Sequence, residues 1–150
     1  MKKYLIMLAV VLTLSLMGCF FSREEKYEFR QEFDQIVSIE ILKKEYDSND
    51  ATTPAKMIKA IPPEEHRALI DALLELEGFR LFYEPSTGVG MYYIRITYKD
   101  GAQELMGNYS TAYITADGKL HEDNYSFCRE PFYDLISRLL GEETRWPLTK

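Results

Sequence analysis

Over residues 91–127 apolar and polar side chains alternate, and the same dipeptide interrupts the alternation twice, as Asp100-Gly101 and Asp117-Gly118. A period of two belongs to a strand, whose successive side chains point to opposite faces. Asp-Gly is a strong hairpin signal, because glycine accepts the positive φ that a tight turn requires. Together these features restrict the stretch to an antiparallel meander, with a two-residue turn expected at each dipeptide. In 91–98, Tyr92, Ile94, Ile96 and Tyr98 share one face while Tyr93, Arg95 and Thr97 share the other. Residues 104–108, 111–116 and 120–127 are expected to pair back in turn.

Such a sheet needs partners for its apolar face. Pro62 and Pro63 open a helix, since proline is tolerated in a first turn whose amides have no intrahelical acceptor. Leu69, Ala72, Leu73 and Leu76 recur at helical spacing behind them, and Gly78 is the expected stop. A second helix follows Pro131, with Phe132, Leu135, Ile136, Leu139 and Leu140 as its stripe and Gly141 as its end. Residues 36–42 predict a strand with Val37, Ile39 and Ile41 on one side, and 56–61 and 79–83 predict shorter ones. The pattern predicts an α+β fold with two layers, a mostly antiparallel sheet meander packed against two helices in a single domain over 34–150. Trp146 is expected to cover a helix end.

Lys2 and Lys3 precede an apolar run over 4–16 that is shorter than the roughly 20 residues needed to cross a bilayer. The run closes on Leu16-Met17-Gly18-Cys19, and this order is that of a secretory signal peptide. The last four residues resemble the lipobox of bacterial lipoproteins, with Met17 where the family usually carries a small or hydroxylated residue. The resemblance implies that residues 1–18 are removed and that Cys19 is lipidated. Residues 19–33 would then form a tether, with Phe29 and Phe33 docking on the domain, and the protein would sit on the outer face of the cell membrane. Two or more acyl chains hold a protein stably where one does so only marginally.

Removal of Lys2 and Lys3 with the leader takes the net charge from -6 to -8. That balance opposes an electrostatic footprint for nucleic acid, which requires clustered Lys and Arg. With Cys19 lipidated, Cys128 is the remaining thiol, so stability must come from an ordinary core rather than a disulfide. The 132 residues left of 150 suffice for one domain.

The chemistry-bearing residues form no catalytic set. His66 sits beside Glu64 and Glu65 and reads as a surface residue, because Ile70 occupies the position where a second zinc ligand would stand. His121, Asp117 and Asp123 lack the oxygen ligands and length of a calcium loop. Ser86 and Ser110 lie in no nucleophile elbow. Cys128 falls at the start of the last helix, where a thiolate would be stabilised, yet with no oxyanion motif or third orienting residue in view it reads as a structural cysteine. Gly88 and Gly90 precede a strand rather than open a helix, contrary to phosphate-loop geometry. No metal, cofactor or catalytic residue is expected.

Tyrosines crowd the meander: Tyr92, Tyr93, Tyr98, Tyr109, Tyr113 and Tyr125. Two readings stand side by side. They form an exposed recognition platform on the helix-free face, or they are half-buried strand residues chosen for β-propensity. The functional expectation is a membrane-anchored binding or interaction module, held through lipid on Cys19, whose partner is an envelope protein, peptide or polymer. The alternatives are a small exported enzyme and a structural envelope component.

Overall fold

A computed structural model describes residues 22–44, 55–81, 91–108, 110–142 and 144. The lipobox with Cys19, the glycines Gly88 and Gly90, Tyr109 and Trp146 lie outside the described residues. Among the described residues the order is β1 (Ser22–Glu25), β2 (Ile36–Lys43), β3 (Lys56–Ile61), α1 (His66–Glu75), β4 (Gly78–Leu81) and β5 (Tyr92–Tyr98). It continues with β6 (Gln103–Gly107), β7 (Thr111–Ile114), β8 (Leu120–Asp123), β9 (Tyr125–Phe127) and α2 (Arg129–Leu140). Single 3-10 turns stand at Phe33–Gln35 and Pro63–Glu65.

The alternation over 91–127 becomes four consecutive antiparallel strands inside a six-stranded sheet of order β3-β2-β5-β6-β7-β8. The fold is therefore α+β, an antiparallel sheet with two helices. Register puts Ile39 opposite Ile96, Ile41 opposite Ile94, and Ile94 opposite Met106, so one face carries a continuous aliphatic stripe. That stripe forms a single core with Leu69, Ile70 and Leu73 of α1 and with Phe132, Leu135 and Ile136 of α2. α2 ends as the sequence predicts, with Gly141 at φ 71° and its amide on Ser137 O at 2.9 Å. The Lys59 ammonium also reaches back to the Leu139 carbonyl, one of the acceptors a helix end leaves open.

Several expectations are corrected. Both Asp-Gly turns have three residues between the closing pair, not two: Tyr98 donates to Ala102 O, and Thr115 donates to Lys119 O. A type I turn followed by a left-handed glycine explains this, with φ at 86° for Gly101 and 85° for Gly118. The last meander strand divides at Asn124, so that β9 leaves the large sheet and joins a three-stranded antiparallel sheet of order β1-β4-β9. Val37 is exposed rather than aligned with Ile39, because the register shifts between Ile36 and Ser38. The first helix ends at Glu75, and Gly78 opens β4 instead of stopping α1.

The segment expected as a tether belongs to the domain from Ser22 onward. β1 pairs with β4 from Ser22↔Leu81 to Glu25↔Gly78. Tyr27 is buried, with its ring 5.1 Å from that of Tyr125 and 5.5 Å from that of Phe127. Phe29 and Phe33 pack against the same core.

Candidate functional site

Of the six tyrosines singled out, Tyr92, Tyr93, Tyr98 and Tyr125 are buried and Tyr113 is half-buried. Tyr109 lies outside the described residues, as does Cys19. The five described ones form no shared exposed platform, so the half-buried strand reading holds for them and the platform reading does not. The reason is packing on both faces of β5, since strand side chains project from the faces of a sheet and each face here is covered. Tyr92 and Tyr98 join the main core, Tyr93 faces the other way into a small cluster with Leu42 and Ala112, and Tyr125 belongs to the second sheet.

What the tyrosines build instead is a buried carboxylate centre. Glu104 on β6 is 0% exposed. Its Oε1 accepts from the Tyr98 hydroxyl and from the Arg30 backbone amide, each at 2.6 Å, and its Oε2 accepts from the Tyr27 hydroxyl. Burial raises the Glu104 carboxyl above its ordinary range, outweighing the three donors and the nearby Arg30, which favour the ionised form. Burial also raises both phenols well above the usual tyrosine range, and the carboxylate beside them adds to the shift. Proton donors already occupy both oxygens, so the arrangement clamps segments together rather than presenting a base to a substrate.

Beside this centre, Asp123 at the end of β8 is shared by two arginines. Arg80 Nη1 donates to Asp123 Oδ1 at 2.6 Å and to Asn124 Oδ1 at 3.0 Å, while its Nε donates to Glu25 at 2.9 Å. Arg30 reaches Asp123 Oδ2 at 3.3 Å and lies 5.8 Å over the Tyr113 ring. The Glu25 hydrogen bond is the first cause that keeps the Arg80 guanidinium charged. The cluster joins β1, β4, β8 and the segment around Arg30.

The histidines separate. His66, expected on the surface, is buried with Nε2 3.0 Å from Ile61 O. The 3-10 turn at Pro63–Glu65 delays the helix, so its first residue turns back toward the end of β3. His121 is exposed on β8 opposite Tyr113. Cys128 is half-buried at the N-cap of α2, and its amide donates to Glu77 O at 2.9 Å. Among the described residues no group of three or more His, Cys, Asp or Glu is placed to hold a metal.

A further feature escaped the sequence reading. β3 is a terminal strand of the large sheet, and its outer edge pairs with no strand among the described residues. Met57 and Ile58 on it are 49% and 41% exposed, and Lys56 is exposed beside them. The register of β3 against β2 shifts at Ile41/Leu42, so Ile58 stands unpaired between Lys59↔Ile41 and Met57↔Leu42. Glu104 was readable: it shares the β6 face with buried Met106, where an acid needs partners.

No family model, no curated protein and no solved structure matches this chain.

Proposed function

We propose that this chain is a lipid-anchored extracytoplasmic binding module that captures an extended, acidic-apolar segment of a partner protein along β3. The carrying observation is the β3 edge itself. An open edge offers a row of backbone donors and acceptors that a further strand can complete, and exposed side chains on the edge set which strand fits. Here Met57 and Ile58 offer apolar contact, while Lys56, exposed beside them, favours a carboxylate. The leader supports the location: a dibasic start, an apolar run and Leu16-Met17-Gly18-Cys19 agree with export and lipid attachment at Cys19.

The test has two arms. Mass spectrometry of the cell-made protein should find a chain that starts at an acylated Cys19; an intact Met1 would remove the anchor. Extended peptides alternating Glu and Val should slow amide hydrogen exchange along β3, and Met57→Lys with Ile58→Lys should weaken binding about tenfold or more, a loss of about 1.4 kcal/mol. Peptides that bind while leaving β3 exchange unchanged would overturn the assignment.

A further inference from the structure

The linkage between the expected lipid and the fold is three residues long. Cys19 is followed by Phe20 and Phe21, and Ser22 is already the first rung of β1, paired with Leu81. Consecutive Cα atoms are 3.8 Å apart, so Ser22 Cα lies within about 11 Å of Cys19 Cα. A domain of this size has a radius of gyration of about 14 Å. The linkage is thus shorter than the body it holds.

β1 cannot peel away to lengthen it at no cost. Its four residues are laddered to β4, and the chain beyond is fixed where Tyr27 and the Arg30 amide bond the buried Glu104 carboxylate. We propose that the Ser22/Leu81 end of the three-stranded sheet rests directly on the leaflet that carries the lipid, with phospholipid headgroups as the partner of that end. This rests on the anchor at Cys19 proposed above.

Charge placement agrees. One rung in from Ser22, about 3.4 Å along the strand, the backbone ladder reaches Arg80, which pairs in turn with Tyr125. The side chains of Arg80 and Arg30 are 42% and 51% exposed, on either side of Asp123. In a chain of net negative charge, the Arg80 guanidinium is held by Asp123 and by Glu25, three rungs in from Ser22, and both it and Arg30 stay open to solvent on part of their surface. Guanidinium is the side chain best matched to a phosphate. The linkage residues Phe20 and Phe21 are of a type that partitions into the headgroup boundary.

The full lipidated chain on a supported bilayer of phosphatidylcholine and phosphatidylglycerol tests this by neutron reflectometry. Protein density is expected to begin at the headgroups with no intervening water layer. A Gly-Ser spacer of about twelve residues between Phe21 and Ser22, with a mean reach of about 19 Å, frees the domain to leave. The spacer chain with Arg30→Glu should stand farther from the bilayer than the spacer chain alone. A water layer thicker than about 10 Å under the unaltered chain would overturn the seating, and equal heights for the two spacer chains would overturn the headgroup contact. Mass spectrometry of the same samples separates the failures: an unacylated Cys19 removes the anchor and the seating together, whereas an acylated Cys19 over a water layer removes the seating alone.

Discussion

Glu104 and Tyr27 are 77 positions apart in the chain, and the phenol of one donates to the carboxylate of the other inside the domain. Tyr98 and the Arg30 amide complete the same carboxylate. One side chain on β6 thereby fastens the segment that follows β1 onto the β5–β6 hairpin. Hydrogen bonds to a charged group contribute about 1.5–3 kcal/mol each, and a buried group left without them costs a comparable amount.

The first prediction concerns pH. Because burial raises the Glu104 carboxyl in the folded state, the folded protein binds its proton more tightly than the unfolded chain. Between the ordinary glutamate range and the raised value, stability from this group falls as pH rises. The contribution is complete below that window and gone above it. Glu104→Gln removes the dependence and sets an amide N–H against a phenol donor, lowering stability by about 1–3 kcal/mol. In urea melts carried upward in pH from the ordinary glutamate range, the wild-type advantage over the variant should shrink as pH rises. A constant difference would assign the titration elsewhere.

Tyr27→Phe and Tyr98→Phe each remove one donor from that carboxylate. Each is expected to destabilise by about 1–3 kcal/mol. The two share a partner, so the double variant should depart from the sum by at least about 0.5 kcal/mol. A double-mutant cycle in urea reads the coupling directly, and strict additivity would mean that the two phenols do not act on one group.

The turns predict a different kind of cost. Gly101 and Gly118 both have positive φ, and a Cβ added at either would meet nothing within 4 Å. Substitution to Ala is therefore opposed by the backbone alone, at about 1–2 kcal/mol per turn. Asn, which tolerates the left-handed region, should recover part of the loss. Thermal melts of the single and double Ala variants should add, because the turns close different hairpins.

Much of this architecture was legible because its signals are local. The alternation of Tyr92, Ile94, Ile96 and Tyr98 set the inward face of β5, and Gly141 marked the end of α2 through its left-handed φ. Turn length was less legible, since Asp-Gly suits a three-residue loop as well as a two-residue one. The displacement of Val37 depends on a bulge with no signature in 36–42. Hardest to read was the Glu104 centre. An acid beside Met106 on an apolar face announced that partners were needed, but nothing near it in sequence named Tyr27. The β3 edge depends likewise on strand order, and a strand pattern does not say which neighbour a strand will lack.

The last prediction turns on Gly78. It was expected to stop α1, a role that would call for a left-handed backbone, yet it lies in β4 between Glu25 and Phe127. A Cβ there would collide with the Tyr125 hydroxyl and ring, and would come within 2.7 Å of the Ser126 carbonyl oxygen. The tyrosine has little room to yield: it is buried, its hydroxyl donates to Glu25 O at 3.1 Å, and its ring packs on Tyr27 and Phe127. Burial accordingly pushes the Tyr125 phenol up to about 12. Gly78→Ala should therefore cost about 3 kcal/mol by overpacking and loosen β4 from β9. Pairing it with Tyr125→Ala, which opens the space a methyl needs, should make the glycine substitution less damaging than it is in the wild-type background. If the loss persists undiminished in that background, the constraint at this position is set by the Ser126 backbone and not by the tyrosine.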